Sequence, residues 1–259
     1  MKKMWILIMG AALIAGVAQA ELIVNSLSYS YSQDFNSLAS SGSGNAWTDD
    51  STIAGWWWDS SNATREPGAY GYIADAGSNN TGAGHSHGAV GSNERAMGII
   101  SSSRNDMALG VQFRNNTGSA ISLSDVKISY TGEQWRRFNL HTNQFSYALS
   151  TTKVDPIYFS LATFTDVDAL DFAAPQSGTE GALDGNDAAN RTTFSNIALN
   201  TSGTWNNGDY LALRWVRAGT SSPALAVDDF SISIIPEPAS FGLLALGAIG
   251  VRLIRRRRG

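Results

Sequence analysis

Period-2 alternation of apolar and polar residues constrains this chain most. Leu27, Tyr29 and Tyr31 alternate with serines up to Phe35. Leu109, Val111 and Phe113 alternate ahead of the turn Asn115-Asn116-Thr117-Gly118, and Val126, Ile128 and Tyr130 do so ahead of Gly132. Phe138 and Leu140, then Phe145, Tyr147 and Leu149, suggest two strands on either side of His141-Thr142-Asn143. Tyr210–Val216 and Leu225–Ile235 close the set. Successive strand side chains point to opposite faces, so each such segment can bury one face against a partner. The runs are short and separated by Gly, Asn, Ser and Asp clusters, the pattern of an all-β, jelly-roll-like β-sandwich. Asp166–Phe172 is the one stretch that fits a single helical turn, and no internal repeat is present. The chain has no cysteine, so its stability has to come from a packed core rather than disulfides, and thiolate chemistry is excluded.

Two stretches read as long loops. Gly68–Asn93 is glycine-rich and carries Ser78-Asn79-Asn80-Thr81; Pro175–Asn190 carries Ser177-Gly178-Thr179-Glu180-Gly181 and Asp184-Gly185-Asn186-Asp187. Trp56-Trp57-Trp58 is the most unusual local feature. In a strand, Trp56 and Trp58 share one face and Trp57 takes the other. All three suit a sheet core, and an exposed face would instead make a stacking platform for a sugar ring. Asp184, Asn186 and Asp187 supply closely spaced oxygen ligands, and Asp228 and Asp229 could complete a structural calcium site with them. Asp228-Asp229 also fits an edge strand protected against pairing. His85-Ser86-His87 offers two imidazoles but no nearby third ligand in sequence, so a solvated loop is expected there. Glu133, Trp135 and Arg137 share one strand face, which suggests an ion pair. No nucleophile-elbow, zinc-protease, Walker or dinucleotide motif is present, and no catalytic residue is assigned.

The two ends frame this body. Met1–Ala20 reads as a signal peptide for signal peptidase: Lys2 and Lys3, an apolar stretch from Met4 to Val17, and an Ala18-Gln19-Ala20 cleavage site. The other end has three parts in order: Pro236-Glu237-Pro238, an apolar run from Ala239 to Val251, and the cations Arg252, Arg255, Arg256, Arg257 and Arg258. The prolines end any preceding strand. The apolar run has no polar face, and the arginines anchor its end on the cytoplasmic side of a membrane. A helix over Ala239–Ile254 spans about 24 Å, a short transmembrane segment. Residues 21–235 keep 11 basic against 21 acidic residues, a net charge of −10, which disfavours binding to nucleic acid.

That ordered tail resembles the PEP-CTERM sorting signal of exported bacterial proteins. The resemblance implies processing by exosortase, a membrane-embedded protease or transpeptidase, near Pro236-Glu237-Pro238. It also implies a bacterium with a Gram-negative-type envelope, often one producing exopolysaccharide, with delivery to the cell envelope or extracellular matrix. The same tail is also labelled an ice-binding protein C-terminal domain; no Thr-x-Thr ladder is present, so ice binding is not carried over. Gly132-Glu133-Gln134-Trp135-Arg136, Leu183-Asp184-Gly185-Asn186 and Leu225-Ala226-Val227-Asp228-Asp229-Phe230-Ser231 together resemble β-sandwich ectodomains that precede this tail. The expected organisation is a signal peptide over 1–20, a sandwich over 21–235 and a sorting tail over 236–259. The expected function is that of a non-catalytic surface or matrix protein. A carbohydrate-binding module acting on exopolysaccharide is the alternative, and a glycan hydrolase or lyase the third.

Overall fold

A computed structural model describes residues 21–65, 67–154, 163–217 and 223–236. The strands are, in chain order, β1 (Leu22–Val24), β2 (Ser30–Gln33), β3 (Trp56–Ser60), β4 (Ile73–Asp75), β5 (Ala83–His87) and β6 (Ala96–Ile100). They continue as β7 (Met107–Asn115), β8 (Ile121–Ser122), β9 (Val126–Arg137), β10 (Thr142–Ser150), β11 (Thr165–Asp166) and β12 (Phe172–Ala173). The last five are β13 (Gly181–Ala182), β14 (Arg191–Ala198), β15 (Thr204–Trp205), β16 (Tyr210–Arg217) and β17 (Ala224–Ile234). One sheet runs β1-β7-β16-β10-β11, with β3 also on β7 and β12 also on β10. The other runs β13-β9-β17-β6-β5-β4, with β14 also on β9 and β2 also on β17.

Residues of both sheets contribute to one core, so the expected β-sandwich forms. The alternation explains how. In the antiparallel pair β7–β16, Leu109 lies opposite Trp215, Val111 opposite Leu213 and Phe113 opposite Leu211. The apolar sets of the two strands therefore fall on the same face. Trp215 reaches across the sandwich: its ring stacks on Trp56 at 6.3 Å and meets Phe145 edge-on at 5.0 Å within its own sheet. It also meets Tyr130 at 5.2 Å and Phe230 at 5.9 Å from the facing sheet. Each aromatic pair of this kind adds about 0.5–1.5 kcal/mol beyond burial.

Trp56, Trp57 and Trp58 are all buried, so the exposed stacking platform is not there. Trp56 and Trp58 face the core, where Trp58 packs on Trp47 and Tyr72. Trp57 points the other way but is buried as well. Lys153 lies over its ring and pairs with Asp50, and the Val154 backbone exchanges two hydrogen bonds with the Gln112 side chain.

The stretch Gly68–Asn93 is not a loop throughout. It contains β4 and β5, and the helical turn Pro67–Tyr70 overlaps its start. The glycines that hide β5 from a pattern search are what let it pack: a Cβ on Gly84 would lie 2.9 Å from the Trp58 ring. Pro175–Asn190 keeps its loop character, with only β13 and a 3-10 turn at Ala188–Asn190 inside it. The expected turn near Asp166–Phe172 is a 3-10 turn at Asp168–Leu170. Phe138 and Leu140 lie beyond the end of β9, and Leu140 is exposed. Asp228-Asp229 is not at an edge, because β17 lies between β9 on one side and β6 and β2 on the other. The pair instead forms a bulge, with Asp229 at φ +47°.

Among the described residues no helix is long and apolar enough to cross a membrane. The expected signal peptide and the tail from Glu237 onward lie outside the described residues. Replacing Trp215 with Ala should cost about 3–5 kcal/mol, the range for deleting a large buried aromatic. Urea denaturation reads this as a lowered midpoint, and a loss below about 1 kcal/mol would show that the two sheets do not depend on that ring.

Candidate functional site

The face of the second sheet that turns away from the core carries the ionisable groups. On β17, Leu225 and Val227 join the core while Ala226 belongs to a separate small cluster on the opposite face. On β6, Met97 and Ile99 point inward, and Ala96 and Ile100 outward. Pairing aligns Glu133 with Ala226, Ala226 with Gly98, and Gly98 with His85, so this row shares the outward face. Small residues on the middle strands leave room for rings from the flanking ones. A Cβ on Gly98 would lie 2.5 Å from His87 Cδ2. His85 stacks on His87 at 4.9 Å, and His87 on Trp135 at 6.1 Å, both nearly parallel.

The loop after β12 covers this face. Leu183 N donates to Trp135 O, and a Cβ on Gly185 would lie 2.4 Å from Trp135 Nε1. Arg136 fixes the loop further by pairing with Glu180 at 2.8 Å and donating to Gly77 O at 2.9 Å. His85 and His87 are fully buried in consequence, and Glu133 and Trp135 are 1% exposed. The solvated histidine loop expected from the sequence is thus a buried strand.

Among the described residues two groups could serve as ligands: Asp75, His85 and His87, and Glu94, Glu133 and Asp228. In the carboxyl group, Trp135 Nε1 donates to Glu133 Oε2 at 2.9 Å and Asn186 Nδ2 donates to Glu94 Oε2 at 2.7 Å. Glu94 Oε1 and Asp228 Oδ1 are buried with no hydrogen-bond partner among the described residues. Burial pushes the Glu133 carboxyl up to about 7, against a smaller opposing effect of the Trp135 hydrogen bond. Burial and the neighbouring Glu133 raise Asp228 as well. Burial also opposes the charge on Asp75, yet the His85 and His87 rings beside it outweigh that and hold the carboxyl well below its usual range. His87 is pushed down by burial.

The five residues expected to hold calcium do not come together as one site. Asp184 and Asp187 stay exposed in their loop, where Asp184 Oδ1 accepts from Asn186 N. Asn186 and Asp228 meet only through Glu94. Asp229 lines a separate cleft of about 420 Å³ with Ser32, Gln33, Asp34, Phe230 and Ser231. Glu133 forms no ion pair with Arg137, which donates to Thr179 O. Glu94 escaped sequence reasoning because it lies 39 positions before Glu133 with no motif around it. Asp75 escaped because β4 and β5 pair in parallel, a non-local contact with no sequence signature.

The proton on Glu133 has a measurable consequence. Its folded pKa near 7 lies above the unfolded value of about 4.3, so the folded chain keeps a proton that the unfolded chain releases. This stabilisation is complete below about pH 4 and is lost as the pH rises to about 7. His87, shifted the opposite way, contributes the reverse slope, so the useful comparison is with Glu133→Gln. That variant keeps an acceptor for the Trp135 indole but does not titrate. Between about pH 4 and pH 8 the wild type should lose on the order of 3 kcal/mol relative to the variant. Urea denaturation across the pH series reads this, and a constant difference would show Glu133 to be an ordinary carboxylate.

Residues 235–258 match the PEP-CTERM protein-sorting motif. No curated protein matches the chain. Among solved structures, the family 11 carbohydrate-binding module from Clostridium thermocellum in complex with a β-1,3-1,4-mixed-linked tetrasaccharide is 11% identical. That likeness covers 77% of this chain and 100% of the module, at a TM-score of 0.32. The K2 cleaved adhesin domain of Lys-gingipain is 14% identical, covering 78% of this chain and 97% of that domain, at a TM-score of 0.36. The K3 domain of Lys-gingipain from Porphyromonas gingivalis is 13% identical, covering 70% and 91%, at 0.31. These likenesses are too distant to bear on fold or function. The match at the C-terminus is different in kind, and by it the chain belongs to the proteins that carry the PEP-CTERM sorting signal, a signal for exosortase-targeted export.

Proposed function

We propose that the described body is a non-catalytic passenger, delivered by its tail to the cell envelope or extracellular matrix after exosortase cuts near Pro236-Glu237-Pro238. One observation carries this reading: the matched motif begins at residue 235, one residue after β17 ends. The last body residues are held by backbone bonds, Ile234 N to Tyr29 O and Ile235 N to Asp125 O, and Pro236 is exposed. Removing the tail from there onward subtracts no strand from either sheet. In this reading Met1–Ala20 is removed by signal peptidase, and the segment after Pro238 crosses the inner membrane only until processing.

The buried position of Glu133 and Asp228 argues against an acid–base role on a polymer, which would have to reach them. The seven tryptophans of the described residues, from Trp47 to Trp215, are all buried, which removes the aromatic platform a glycan binder would use. Exopolysaccharide binding then rests on the cleft beside Asp34 and Asp229. A glycan array probed with the protein tests that alternative: binding lost on Asp229→Ala would establish it, and an empty array would retire it. Melting with added calcium tests the structural-calcium expectation in the same way, since an unchanged transition would retire that ion.

Mass spectrometry of the protein recovered from a native host tests the main reading. The C-terminus should lie near Glu237 in the wild type. A variant with alanine at Pro236, Glu237 and Pro238 should keep Arg255 to Arg258 and remain in the membrane fraction. Recovery of the wild type with Arg255 to Arg258 intact would make the tail a permanent anchor instead.

A further inference from the structure

The pair of histidines on β5 is held in an arrangement that the sorting role does not use. His85 and His87 occupy alternate positions, so both rings leave the strand on the outward face. β4 pairs in parallel with β5 and places Asp75 opposite His87. Asp75 Oδ2 lies 2.9 Å from His85 Nδ1, and Asp75 Oδ1 lies 3.6 Å from His87 Nδ1. Both Nδ1 atoms thus turn toward one carboxylate.

The remaining ring nitrogens differ. His85 Nε2 lies 2.9 Å from Thr81 O, which can only accept, so the proton sits on Nε2. His87 is fully buried, yet neither of its nitrogens has a hydrogen-bond partner among the described residues. An unsatisfied buried polar side chain is costly and uncommon in a folded protein.

We propose that Asp75, His85 and His87 bind a divalent transition-metal ion of the zinc class through a carboxylate oxygen and the two Nδ1 atoms. The donor set of two imidazoles and one carboxylate suits such an ion and not calcium, which takes oxygen ligands. The three ligand atoms lie within 4.8 Å of one another. Ligands about 2.0–2.1 Å from a tetrahedral zinc ion lie about 3.3 Å apart, and the contacts of the two Asp75 oxygens, 2.9 Å to His85 and 3.6 Å to His87, fall on either side of that value, so a small shift of the carboxylate brings one oxygen into place. His85 has the outer contact that a ligating histidine needs: its Nε2–H donates to a backbone carbonyl, which holds the ring with Nδ1 toward Asp75. Gly77 N donates to Asp75 Oδ1 and orients the carboxylate. Three protein ligands leave a fourth position for water or another small ligand.

The charged neighbours are Arg95 and Glu94. Arg95 approaches from the side of Ser86, where its guanidinium donates to the Ser86 hydroxyl and carbonyl, and it also contacts Asp75 O at 3.4 Å. Its charge opposes a second cation, and Glu94 next to it in sequence offsets part of that charge.

The test uses the full chain purified in detergent, stripped with a chelator and titrated with zinc chloride. Isothermal titration should give one zinc ion per chain, with a rise in the melting temperature that calcium does not reproduce. Asp75→Asn, which keeps the side-chain shape, and His87→Gln should each lower zinc affinity by more than the roughly 10–100-fold typical of losing an outer contact. Cobalt(II) substitution of the wild type decides the matter should a variant fail to fold. Visible bands of a tetrahedral ion with nitrogen ligands would support the site. Octahedral bands alone, no binding by the wild type, or binding unchanged in both folded variants would overturn the proposal.

Discussion

The sandwich depends on aromatic contacts that span its two sheets, with Trp215 at their centre. Trp215 of β16 lies against Trp56 and Phe145 in its own sheet and against Tyr130 and Phe230 of the other. An exported chain without cysteine has no covalent staple, so large aromatic side chains carry what disulfides supply in other secreted domains. This is also why tryptophan is frequent here without forming a binding platform. Trp47 and Trp58 extend the same packing, and Lys153 lies over Trp57, which faces away from the core.

The second sheet has two faces with different chemistry, and pairing register separates them. Along β17 the inward positions Leu225 and Val227 are apolar, whereas the outward positions are Ala224, Ala226 and Asp228. Small residues outward allow the flanking strands to lay large rings over the middle of the sheet, so His87 and Trp135 stack above Gly98 and Ala226. Once the loop over Pro175–Asn190 closes on Trp135, the ionisable groups beneath it lose water. Their unusual proton affinities follow from that covering more than from any single charge pair.

The sequence made the first face legible and the second one not. Leu109, Val111 and Phe113 announce a strand because their alternation is a local property, and β7 forms there. The three-part tail is readable for a similar reason, since each part is contiguous. Ala83-Gly84-His85-Ser86-His87 has no apolar alternation and sits among glycines, so nothing local distinguishes it from a solvated loop. Its strand character comes from Trp58 packing on Gly84 from one side and from the pairing with β6. The candidate ligands show the same limit: His85 and His87 are neighbours in sequence, whereas Asp75 joins them only through parallel pairing. Asp184, Asn186 and Asp187 illustrate the converse: neighbours in sequence, they do not converge, since Asp184 and Asp187 stay exposed and Asn186 turns its amide nitrogen to Glu94.

The order of elements links the fold to its sorting tail. β17 is the last strand of the body, yet it lies inside the second sheet, paired with β9 on one side and with β6 and β2 on the other. All three partners precede it in the chain, so without Ala224–Ile234 each would be left with an open edge. Open edges are templates for pairing between chains. The matched motif starts at residue 235, so the segment that completes the sheet and the segment that marks the chain for processing emerge together. A cut a few residues upstream of Pro236 would remove Ile232 and Ile234 from the core and uncover β2. Placing the sorting signal directly after the central strand means that a cut at the motif, as proposed above, would leave the described body closed, and Pro236 has no N–H to donate to a further pairing.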